Sequence, residues 1–137
     1  MSYDLFQVTQ GAIIKNSEGA VLVLRLPNDS WILPGGHVDK GENWEEAFRR
    51  ELKEELGIEN FTVKSLVDIR SWLSKDRDHS IYAVTFLIDA LDFNEPKLSE
   101  EHIQHAWVTL ENINDYKFLD EIAKSRVQKG LENKSLF

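Results

Sequence analysis

The chain has no cysteine among its 137 residues. That absence removes a disulfide framework, a thiolate metal site and a cysteine nucleophile together. It also lacks any run approaching the roughly 18 apolar residues that a membrane helix needs. The opening residues, MSYDLFQVTQ, show no basic stretch followed by an apolar run and a small-residue cleavage site. A soluble, cytoplasmic protein is therefore expected. Positive charge is scarce: 16 Lys and Arg stand against 24 Asp and Glu, a formal net charge of -8. This balance disfavours broad adhesion to nucleic acid or anionic lipid. Any anionic ligand would need local cations, supplied by a few basic side chains or by a divalent metal. No repeat, low-complexity tract or linker divides the sequence, so one domain over 1–137 is expected.

With 42% hydrophobic and 29% charged residues, what is present is ordinary for a folded globular domain. Strand-like runs occupy 6–14 (FQVTQGAII) and 20–26 (AVLVLRL), and the cluster Asn16-Ser17-Glu18-Gly19 between them predicts a hairpin. Trp31-Ile32-Leu33 is a short apolar piece, and Pro34-Gly35-Gly36 predicts the start of a loop. Residues 44–56 (WEEAFRRELKEEL) predict a helix, with Asn43 as N-cap, Glu46 in capping-box position and Gly57 as C-terminal stop. Further strands are predicted at 60–72, 80–90 and 104–109, with the charged loop Lys75-Asp76-Arg77-Asp78 between the first two, and a helix at roughly 116–130. This order predicts one α/β or α+β domain with a mixed sheet between helices.

The helix at 44–56 carries carboxylates where apolar residues belong. At about 100° per residue, Trp44, Ala47, Phe48, Leu52 and Leu56 share one broad arc that should face the sheet. Glu51 and Glu55, one turn apart, fall inside that arc, and Glu54 lies at its edge. An unpartnered buried carboxylate would sooner take up a proton. Basic side chains, proton uptake or a hard divalent cation could compensate, and by sequence only Arg50 is near. Glu45 and Glu46 are explained by the helix dipole; Glu51 and Glu55 are not.

Written out, Gly36-x5-Glu42-x7-Arg50-Glu51-Leu52-x-Glu54-Glu55-x-Gly57-Ile58 matches every defined position of the signature of the Nudix hydrolase family, nine positions in 23 residues. Trp31-Ile32-Leu33-Pro34-Gly35-Gly36 also resembles the family's approach to this segment. The resemblance implies an α/β/α sandwich that hydrolyses a nucleoside diphosphate linked to another moiety, using Mg²⁺ or Mn²⁺. Carried over by position, it implies Glu51, Glu54 and Glu55 as metal ligands with the Gly35 carbonyl, Arg50 as the group orienting the carboxylates, and Gly36, Glu42 and Gly57 as supports of the site. The general base is assigned among Glu54, Glu100 and Glu101. Related proteins of several substrate groups carry a proline or tyrosine roughly 15 to 18 residues past the glycine of the signature; this chain has Trp72, Leu73, Ser74 and Lys75. That departure counts against ADP-ribose and dinucleoside-polyphosphate substrates.

Arg25 and His37 are candidate phosphate or substrate contacts, and Trp31 and Trp72 are candidates for stacking on a base. Each has a plainer alternative: an exposed strand-end arginine, a loop histidine, core tryptophans. The expected partner is a small nucleotide or nucleotide derivative, and a homodimer is compatible with the resemblance. The rival expectation is a nucleotide-binding module of the same fold without catalysis.

Overall fold

The computed structural model describes residues 4–91, 93, 96–97, 102 and 104–136. Strands β1 (Phe6–Ile13), β2 (Val21–Arg25), β3 (Trp31–Ile32) and β4 (Gly35–His37) precede helix α1 (Trp44–Leu56). Then come the long strands β5 (Phe61–Leu73) and β6 (Ser80–Ala90), the strand β7 (Gln104–Val108), a 3₁₀ turn at Ile113–Asp115 and helix α2 (Glu121–Leu131). One sheet has the order β4-β1-β6-β5 and is mixed, because β1 and β6 run parallel. The other, β3-β2-β7, is antiparallel.

Alternation of side chains across the strands divides the core into two layers. Ala12, Ile14, Leu22 and Leu24 point to the side of Phe48, Leu52 and Leu56 of α1. Ile13, Val21 and Val23 point the other way, towards Ala123 and Val127 of α2. With a helix on each side, Val21–Leu24 of β2 are buried on both faces, which is why 20–26 is an almost unbroken apolar run. Each fully buried Leu or Phe contributes about 1.5–3 kcal/mol of transfer free energy. The architecture is an α/β/α sandwich, as expected.

Three local expectations are corrected. The turn at 16–19 closes as a hairpin turn, with Asn16 Oδ1 accepting from the Glu18 and Ala20 amides, both at 3.0 Å, but beyond it the strands diverge: β1 joins the mixed sheet and β2 the antiparallel one. The predicted loop at Pro34-Gly35-Gly36 instead runs into β4, which pairs antiparallel with Thr9–Gly11 of β1. Glycine permits this close approach rather than ending the structure. The last helix starts at Glu121, not near 116. The backbone of 117–119 is committed to Trp31, whose amide donates to the Lys117 carbonyl at 2.9 Å and whose carbonyl accepts from the Leu119 amide at 3.0 Å. Asp120 then caps α2 by accepting from the Ala123 amide at 2.7 Å.

Candidate active site

Helix α1 is fixed at both ends before its middle is considered. Asn43 accepts from the Glu46 amide at 2.9 Å while the Glu46 side chain reaches back, a complete capping box, and Gly57 ends the helix at φ 72°. The face so oriented buries Ala47, Phe48, Leu52, Leu56 and also Glu55. Trp44, placed on the same arc by the wheel, is 47% exposed; it sits in the first turn with its ring against Phe86, 5.2 Å between centroids. Glu55 is 6% exposed and accepts a hydrogen bond from the Gly35 amide at 3.1 Å, which ties the buried flank of α1 to β4. Of the other two glutamates, Glu51 has a side chain 18% exposed and Glu54 one 60% exposed.

Arg50 gathers the neighbouring carboxylates. Its Nε and Nη2 each donate to Glu42 at 2.8 Å, a two-pronged pairing, and Nη1 donates to Glu51 at 2.8 Å and to Glu54 at 3.4 Å. Asp39 lies 3.3 Å away, and the His37 carbonyl accepts at 3.1 Å. Burial raises the Glu51 carboxyl above the usual range, against the hydrogen bond from Arg50. Glu42 moves the other way, to about 2, because the Arg50 hydrogen bond dominates and the Asp39 amide adds to it. A depressed folded value means that the stabilisation is present above the ordinary glutamate value of 4.5 and is lost as pH falls through about 2. A carboxyl-carbon NMR titration is expected to show Glu42 still ionised at pH 3, where exposed glutamates are largely protonated.

Gly36 makes room for Glu51. A Cβ there would stand 2.3 Å from Glu51 Cδ and 2.4 and 2.6 Å from its oxygens. All the proposed donors are oxygens, the kind a hard divalent cation prefers, so the residues present fit Mg²⁺ or Mn²⁺. In the arrangement seen, Arg50 holds Glu51 and Glu54, and Gly35 holds Glu55. Among the described residues the trio with donor atoms all within 4.8 Å of one another is instead Asp76, Asp78 and His79. There Asp76 accepts from Ser74 Oγ at 2.5 Å and the Asp78 amide at 3.0 Å, bonds that shape the β5–β6 loop. Gly36→Ala is expected to leave the fold intact, since only a side-chain end must swing away, yet to lower turnover roughly 10- to 100-fold. Circular dichroism melting beside steady-state kinetics checks both halves.

A cavity of about 450 Å³ opens beside Gly35 and Gly36, between β1, β4 and the start of α2. His37, Trp72, Gln7, Lys75 and Arg126 are among its lining. Gln7 lies within hydrogen-bond distance of both His37, 2.5 Å, and His79, 2.8 Å. Two of the sequence candidates lie elsewhere. Arg25 pairs with Asp29 at 2.5 Å and donates to Gln104 at 3.1 Å. Trp31 packs edge-on against Tyr116, 5.1 Å between centroids, beside the α2-side core. Of the two tryptophans that are candidates for stacking, Trp72 lines the cavity. Glu100 and Glu101 lie outside the described residues. Sequence reasoning missed Arg126. No sequence signal singled it out, because Lys124 and Arg126 both lie between the buried Ala123 and Val127 and read alike as solvated helix charges.

Comparison with known proteins agrees with this fold. The NUDIX domain family matches residues 5–128. A nucleoside triphosphatase NudI of Escherichia coli is 33% identical, the alignment covering 87% of this chain and 93% of the relative. Among solved structures, a MutT protein from Methanosarcina mazei superposes with TM-score 0.77 at 27% identity, covering 98% of this chain and all of that one. A NUDIX hydrolase from Nitrosomonas europaea superposes with TM-score 0.78 at 22% identity, over 96% and 92%. The chain belongs to the Nudix hydrolase family and is an enzyme of the pyrophosphohydrolase type.

Proposed function

We propose that the chain hydrolyses a phosphoanhydride bond of a nucleoside triphosphate or a closely related nucleotide, with Mg²⁺ or Mn²⁺ as cofactor. The observation that carries this reading is Glu55, a carboxylate buried on an otherwise apolar helix face and directed at the backbone of Gly35. Burying such a group carries a desolvation cost that packing of the helix does not require, which points to a role for the charge itself. The relative named a nucleoside triphosphatase supports the choice of substrate class. Glu51, Glu54, Glu55 and the Gly35 carbonyl would hold the cation. When bound, such a cation offsets phosphate charge and makes a bound water more acidic.

The chain's own residues do the rest. Arg50, anchored by Glu42, keeps Glu51 aimed across Gly36. Glu54, the most exposed of the three glutamates, is the helix's candidate to accept a proton from the attacking water, with Glu100 and Glu101 as the candidates before β7. The nucleoside would occupy the cavity beside Gly36, where Trp72 offers an aromatic face and Lys75 and Arg126 supply positive charge. The test is a panel of common and oxidised nucleoside triphosphates, dinucleoside polyphosphates, ADP-ribose and nucleotide sugars, with Mg²⁺ or with a chelator and with products identified. Metal-dependent conversion of at least one triphosphate is expected. Tight nucleotide binding without turnover across the panel would contradict it.

A further inference from the structure

Arg126 lies on α2 next to the buried Val127, and its guanidinium is built into the cavity wall. Its Nε donates to Thr85 Oγ1 at 2.6 Å, and Thr85 is itself fully buried on β6. Its Nη2 occupies the space over Gly11, so that a Cβ on Gly11 would lie 1.9 Å away. The chain thus forgoes a side chain on β1 to seat this group. Desolvation pulls the guanidinium down to about 10, opposed by Asp68 and Asp120 and reinforced by Arg70. It remains a cation at neutral pH.

A guanidinium offers five N–H donors and no acceptor. One is used by Thr85, leaving the hydrogens on Nη1 and Nη2. Gly35 and Gly36 line the same cavity, so whatever occupies it adjoins the acidic flank of α1. Resting on the nucleotide reading above, we propose that Arg126 sets base specificity by donating to a carbonyl oxygen of the nucleobase, so that adenine, which carries no carbonyl, is rejected. An adenine amino group placed there would set donor against donor in a desolvated site, leaving both unpaired.

The matched pair for the test is inosine triphosphate against adenosine triphosphate, which differ along one edge of the base: a C6 carbonyl beside N1–H in the first, a C6 amino group beside a bare N1 in the second. The intact protein with Mg²⁺ is expected to favour the inosine substrate in kcat/KM by about tenfold or more, the scale of one well-made base contact. Arg126→Gln, whose amide both donates and accepts, is expected to bring the ratio to within about twofold. Arg126→Lys, a donor-only side chain, should keep the direction of the preference. Melting curves report whether each variant folds; if Arg126→Gln does not, the parent and Arg126→Lys ratios decide. A parent ratio near one overturns the proposal, as does an unchanged ratio in folded Arg126→Gln with all triphosphates slowed alike, the behaviour of a phosphate contact. Failure to hydrolyse any triphosphate would be a different result, overturning the reading of the site on which this rests.

Discussion

Glu55→Gln is expected to lower turnover on the order of 100-fold or more, the scale seen when one preorganised charge partner is removed from a site. The substitution preserves volume, and its amide oxygen can still accept from the Gly35 amide that Glu55 engages at 3.1 Å. What disappears is the negative charge. The fold should therefore survive, since side-chain volume and the hydrogen bond from the Gly35 amide are both kept. Glu45→Gln, exposed in the first turn of the same helix, is the control and is expected to leave kcat within about twofold. Steady-state kinetics and thermal melts on both variants beside the parent check this, and near-parental activity in Glu55→Gln would remove the metal assignment.

Gly35→Ala is expected to be the most damaging small substitution for stability. At Gly35 φ is +147°, and a Cβ would lie 1.9 Å from the Gln10 carbonyl oxygen and 2.9 Å from both Gln10 C and Gly11 Cα. All three are backbone atoms within the β1–β4 ladder, so no side chain can swing aside. The strands must separate or the helix flank must follow. A loss of about 3 kcal/mol or more is expected, which for a domain of this size is a fall in Tm on the order of 10 °C. Activity should fall as well, since the same residue supplies the amide to Glu55 and, on the proposed site, a carbonyl to the cation. Urea unfolding gives the first quantity and kcat the second. The contrast with Gly36→Ala, where only the Glu51 carboxylate is in the way, separates damage to the frame from damage to the site.

The parts of this architecture legible in the sequence are those governed by local rules. Helix α1 has its cap, its capping box and its terminal glycine written in adjacent residues, and its glutamates stand out because they interrupt an apolar period. Residues 34–36 misled because proline and glycine signal both a loop and a close strand approach; only the partner strand, 24 or more residues earlier, decides which. A helix over 116–130 overshoots the observed start at Glu121 because the commitment of 117–119 to Trp31 is a contact across the chain that no local pattern encodes. The same applies to the divergence of β1 and β2 into separate sheets. Asp68 illustrates a further limit. It is buried on β5, where the penalty of burial is outweighed by Arg70 of the same strand at 2.6 Å and Lys129 of α2 at 2.5 Å, which together hold its carboxyl below the usual range.

On the proposed reading, the acidic flank of α1 holds a divalent cation through Glu55. The most direct measurement is a Mg²⁺ titration followed by thermal melting, with the parent and Glu55→Gln side by side and no nucleotide present. A cation that binds the folded state alone stabilises it by about 2.7 kcal/mol at a hundred times its dissociation constant. The parent is expected to show a saturable rise in Tm, and Glu55→Gln a smaller rise that needs more metal. Equal responses in the two proteins, or none in either, would contradict the account.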